Sequence, residues 1–228
     1  MEDVEMDTLT YFEKITLQQA DREFWLNVIL ATITFISVLL FYIDYKNRKD
    51  KERAEKSIKI AEQFANSLIP KLSIICNIFE KTKLENALNR VKFIQFENFD
   101  KDELEELYKK EEIDFYNKTI SGTVTIDDKS ISLATLIMET LNELEYISMY
   151  ISTNVADEKY IYNSLHQQFF KAISLLYISI SLINTDVKDK YFTNIIKVLD
   201  IWKKKYIKHE KKEMKFKKKL NPKMPKIK

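Results

Sequence analysis

With 228 residues the chain has room for one membrane segment and one core of ordinary size. Its one glycine and three prolines leave few helix breakers and exclude the glycine-rich phosphate loops of nucleotide hydrolases and dinucleotide-binding folds. A lone cysteine, Cys76, rules out an intramolecular disulfide, and the near-neutral net charge of +2 hides an uneven distribution along the chain.

Residues 1–23 hold seven acidic and two basic side chains, followed by twenty uncharged residues from Phe24 to Ile43. Twenty helical residues rise about 30 Å, the thickness of a bilayer's hydrocarbon core. Trp25 stands at one edge, and Tyr42 and Tyr45 at the other, where amphipathic rings favour the headgroup region. The acidic start and the lack of a small-residue cleavage site do not fit a secretory signal, so a retained transmembrane helix is expected over 24–45. Lys46, Arg48, Lys49, Lys51 and Arg53 follow directly. Basic residues beside a span stay on the cytoplasmic side, which predicts a single-pass protein of the bacterial inner membrane, N-terminus outside and C-terminus inside. Within the span Asn27, Ala31, Thr34 and Ser37 recur at three- and four-residue spacings on one helical stripe. A packing seam for a homo-oligomer, a pore lining, and hydroxyls bonded to their own backbone all fit that stripe.

A juxtamembrane helix over 46–69 carries a short heptad-like seam at Ala54, Ile58, Ala61, Ala65 and Leu68. Pro70 should begin a new helix or kink the old one, since it lacks the donor that an interior position needs. Leu72, Ile75, Phe79, Leu84, Leu88, Val91 and Phe96 then predict one helical core element, with Cys76 as a buried structural thiol. In "FDKDELEELYKKEE" Asp100 stands three residues before Glu103, a capping-box spacing at the start of an acidic helix with a solvated face. The glycine-containing stretch 113–130 suggests a loop or small hairpin. Helices are expected through Leu133 to Ile151, through "FFKAISLLYISISLIN", and through Phe192 to Trp202. The uncharged run between Lys171 and Asp186 is too short to cross a membrane comfortably and reads as a buried central helix. Together, 70–202 predict a cytoplasmic bundle of four to six helices, so the fold class is all-α, one N-terminal transmembrane helix followed by a helical bundle.

Residues 203–228 form a polybasic tail, with thirteen lysines against Glu210 and Glu213. Lys203, Lys204, Lys205, Lys211, Lys212, Lys217, Lys218 and Lys219 are the expected contacts, with anionic lipid favoured and nucleic acid as the alternative. No metal or cofactor is expected: His166 and His209 have no Cys or His neighbour at ligand spacing. No catalytic residue stands out either, since the carboxylates follow ordinary helix-face spacing and no nucleophile has a visible base.

The span with "YKNRKDKERAEKS", then "ETLNELEYISMYI", "DEKYIYNSLHQQFFKAISLLY" and the Trp202 helix resemble uncharacterised bacterial single-pass membrane proteins with a small helical cytoplasmic domain. Some of these look like effectors of anti-phage defence. The resemblance implies a membrane-acting effector held inactive by a partner or ligand and released on infection. The polar stripe, the short heptad-like seam and the lack of catalytic groups together fit a non-enzymatic effector that oligomerises and permeabilises the membrane or conducts ions, with a regulatory protein or a nucleotide or nucleic-acid ligand as the expected partner. The alternative is a membrane-tethered scaffold or sensor for a partner protein or nucleic acid.

Overall fold

A computed structural model describes the backbone of residues 2–82, 84–126 and 128–220, with side chains from residue 30 to residue 217 within those ranges. The chain divides into two compact units, Met1–Glu52 and Arg53–Lys228. Helix dominates, as one glycine and abundant Lys, Glu, Leu and Ile predict.

The first unit consists of helix α1, which spans Glu2–Gln63 and so ends in the second unit. Among the described residues no helix is long and apolar enough to cross a membrane. Residues 24–29 of the uncharged run lie outside the described side chains, so the transmembrane assignment returns below as a proposal.

In the second unit α1 gives way to a π-helical turn, Phe64–Leu68, where the Ile69 N–H reaches back five residues to the Phe64 carbonyl. Pro70 sits in the first turn of the next helix, α2 (Ile69–Glu80). It has no N–H to give, and its ring crowds the carbonyl four residues back, so the helix widens by one residue instead of stopping. The heptad-like seam is corrected here. Ser57, Ile60, Phe64 and Leu68 form the buried face, whereas Ala54 and Ala65 are exposed and Ile58 is 47% exposed. Leu68 alone belongs to both sets.

The expected single element from Leu72 to Phe96 is also corrected. It is divided into α2, α3 (Leu84–Arg90) and a 3-10 turn at Phe93–Gln95, although Ile75, Phe79, Leu84, Leu88, Val91 and Phe96 all reach the core. Cys76 is half-buried rather than buried. Helix α4 (Lys101–Leu107) starts as predicted, with the Asp100 side chain accepting from the Glu103 N–H. Helix α5 (Lys110–Ile120) leads into an antiparallel hairpin, β1 (Thr123–Ile126) and β2 (Lys129–Ser132), paired Thr123 to Ser132 and Ile126 to Lys129.

Two long helices organise the core. Helix α6 (Leu133–Ser152) is capped by the Ser132 hydroxyl, and α7 (Glu158–Ile183) by the Asp157 carboxylate. From Leu175 to Ser181 every residue of α7 is buried, which is the expected central helix. Helix α8 (Thr193–Leu220) packs Ile195, Val198, Leu199 and Trp202 inward. It also crosses the predicted boundary at residue 203, so the basic segment begins as a continuation of a core helix rather than as a separate tail.

Candidate functional site

Fourteen consecutive residues of α1, Leu30–Ile43, are uncharged, and every one is exposed. Leu30 is 67% and Phe41 74% exposed, and the helix turns about 100° per residue, so apolar side chains leave it in all directions. A helix that is apolar all round is covered by a core or by lipid. Among the described residues of its own unit nothing covers it. Ala31, Thr34 and Ser37 share a side, but the hydroxyls of Thr34 and Ser37 donate to the Leu30 and Ile33 carbonyls, each at 2.8 Å. Their hydrogens are thereby committed to the backbone, and the stripe presents small surfaces rather than free donors. Asn27 and Trp25 lie outside the described side chains. Tyr42 and Tyr45 are exposed, Arg48 pairs with Asp44 at 2.9 Å, and Lys46, Lys49 and Lys51 stand in the open.

Arg53 departs from this basic cluster. Its guanidinium donates to the Asn154 side-chain oxygen at 2.5 Å, in the turn between α6 and α7. One helical turn later Ser57 Oγ accepts the Asp157 N–H at 2.8 Å. Across the π-helical turn, three donors converge on one carboxylate of α6: Gln63 Nε2 at 3.4 Å, Ser67 Oγ at 2.9 Å and Lys71 Nζ at 3.0 Å from Glu143. Burial is the largest influence on Glu143 and pushes its carboxyl up, but these donors and the lysine charge outweigh it and hold the group below its ordinary value. Glu143 thus clasps the chain on both sides of its irregular turn. Irregular turns of this kind recur at functional positions in helices.

A groove of about 230 Å³ runs between α2 and α7, lined by Ile69, Leu72, Cys76, Glu80, Lys171 and Leu175 among others. Cys76 Sγ lies 3.1 Å from Glu80 Oε1. Burial raises the thiol's pKa, and the Glu80 contact raises it further, so the sulfur stays protonated and weakly nucleophilic. Among the described residues no group of three metal-ligating side chains forms. His166 instead packs on Tyr162 and bonds its backbone carbonyl.

The basic segment is divided by the fold. Lys203 donates to the Phe96 carbonyl at 2.6 Å, and Lys205 pairs with Glu158, so both are engaged in holding α8 to the domain. Lys217 pairs with Glu213 at 3.9 Å. Lys204, Lys211 and Lys212 are exposed, together with Lys208 and Lys215, while the side chains of Lys218 and Lys219 lie outside the described residues. Lys208 and Lys215 were not among the expected contacts, although their spacing from Lys204 and Lys211 was visible once the tail is read as helix.

Comparison with protein-family models, with curated proteins and with solved structures found no match in any of the three.

Proposed function

We propose that this protein is a membrane-anchored, non-enzymatic effector in which α1 crosses the bacterial inner membrane once, N-terminus outside, and the helical domain works on the cytoplasmic side. The observation that carries this reading is the run Leu30–Ile43, uncharged and exposed on every side of its helix. A surface of that size in water is a strong association site, and the basic residues that follow it favour lipid with the stated orientation. In this reading copies assemble through α1, the small surfaces at Ala31, Thr34 and Ser37 allow close approach, and the assembled helices permeabilise the membrane. The chain resembles uncharacterised bacterial single-pass membrane proteins, some of which look like effectors of anti-phage defence, and that resemblance suggests the biological setting.

Two measurements test it. Carbonate-washed membranes from expressing cells should retain the protein, and protease added outside intact spheroplasts should leave residues 50–228 intact. Release by carbonate, or digestion of the domain from outside, overturns the anchor or the orientation. A membrane-potential dye then tests the permeabilising step: expression should depolarise cells, and deleting residues 24–45 should abolish the effect. Depolarisation that survives the deletion removes permeabilisation by α1 and leaves the scaffold reading, which the free lysines of α8 favour.

A further inference from the structure

Beyond Trp202, helix α8 extends past the core and sorts its residues by side. Placed at about 100° per residue, Tyr206, Glu210 and Glu213 continue the side of Ile195, Val198, Leu199 and Trp202 that packs inward. Lys204, Lys208, Lys211, Lys212 and Lys215 fall across the helix, within an arc of roughly 100°. No acidic side chain lies in that arc, and the shallow depression along it is lined by these five lysines and Ile207 alone. None of the five has an ion pair among the described residues, whereas Lys205, just beyond one edge of the arc, and Lys217, on the side of Glu213, each have one. Pairs such as Lys204 with Lys208 and Lys211 with Lys215 stand four residues apart, where like charges repel and weaken a helix. A row of unpaired cations maintained at that cost calls for a partner with a repeating negative charge.

The order of side chains around the helix chooses between two such partners. A helix lying in a lipid headgroup layer buries an apolar centre and lets lysines reach outward from its flanks. Here the order is inverted: lysines occupy the centre, with Ile207 and Met214 at one edge and Phe216 at the other. Met214 and Phe216 are both exposed. A central row of cations suits a phosphodiester backbone, which neutralises each lysine without requiring apolar burial. We propose that the lysine face of α8 binds the phosphate backbone of a nucleic acid without reading its base sequence. This inference stands on α8 alone and does not depend on how α1 is anchored.

The test uses the full chain in neutral-lipid nanodiscs and fluorescence anisotropy with a labelled 30-nucleotide single strand and a 30-base-pair duplex, each about that length and in two unrelated sequences. Binding should be equal for the two sequences and should weaken with salt, with a logarithmic slope of about 4 to 5 on duplex and about 3 to 4 on single strand if all five lysines engage. The double variant Lys208→Gln and Lys211→Gln should lower that slope by about 2, weaken both sequences alike, and leave the helical content and Trp202 fluorescence unchanged. Absence of binding at physiological salt overturns the proposal, as does a double variant that binds like the parent. Tighter binding to vesicles containing anionic lipid than to either nucleic acid, lost in the same variant, overturns it in favour of a membrane contact.

Discussion

Glu103 is a carboxylate in an acidic, outwardly solvated-looking helix, yet it is only 8% exposed. Its oxygens accept the N–H groups of Asn98 at 3.0 Å and Phe99 at 2.7 Å, the N–H of Glu97, and the Tyr177 hydroxyl at 2.7 Å. Phe99 is held at φ 55°, a left-handed conformation that a bulky residue avoids, and these bonds are what hold it. Tyr177 stacks on Phe96 at 3.8 Å between ring centres, so the same carboxylate fixes an aromatic cluster. Burial raises the Tyr177 hydroxyl's pKa, and the Glu103 bond raises it further, which keeps it a donor at any physiological pH. Glu103→Gln should lower stability by about 2 kcal/mol, because an amide nitrogen would face donors that a carboxylate oxygen satisfied. The exposed neighbour Glu105→Gln should stay within about 0.5 kcal/mol, and thermal unfolding followed by Trp202 fluorescence compares the two. At Cys76 the prediction is kinetic. Glu80→Gln removes the negative charge that, with burial, raises the thiol's pKa and leaves only a neutral acceptor beside it, so alkylation at neutral pH should quicken severalfold; an unchanged rate would mean the contact is not made in solution.

At the scale of elements, the continuation from α1 through the π-helical turn into α2 depends on Glu143. Its folded pKa is depressed, so it contributes stability that is present above the unfolded value of about 4.3 and is lost as pH falls through the lower folded value. Glu112 behaves alike: its bidentate bond with Arg90, at 2.9 and 2.8 Å, holds its carboxyl down. Urea midpoints should therefore fall between about pH 5 and about pH 3, and Glu143→Gln should flatten that decline. A decline of unchanged steepness in the variant would show that other carboxylates carry it. The position of the clasp was not legible in the sequence. Glu143 stands four residues after Glu139 and two before Glu145 with nothing local to distinguish it, and only folding brings Gln63, Ser67 and Lys71 around it.

For the whole molecule, the membrane reading predicts assembly through α1. Replacing Ala31 and Thr34 with leucine should shift the detergent-solubilised protein toward smaller species, because close helix approach in lipid depends on small side chains. Light scattering of the purified protein distinguishes the forms, and a parent that is monomeric under all conditions would defeat the assembly. The hydroxyls of Thr34 and Ser37 already donate to their own backbone, so Thr34→Ala should assemble like the parent.

What the sequence by itself determined were the features set by neighbours along the chain. Helix content follows from the scarcity of glycine and proline, the Asp100 cap from its three-residue distance to Glu103, and the buried centre of α7 from fourteen residues without a charge. The stretch 113–130 read as a loop or a small hairpin is hairpin only from Thr123, its first part being the end of α5. Only the tertiary structure decided which of two overlapping stripes on α1 and its π-helical turn faces the core, since Ile58, Ala61 and Ala65 each stand one position after the buried Ser57, Ile60 and Phe64. Only it divided the lysines of α8 into those that hold the domain and those left free. Periodicity measures which side chains share a side of a helix, but partners remote in sequence select the side that is buried, and carboxylates such as Glu103 and Glu143 acquire their roles from those partners.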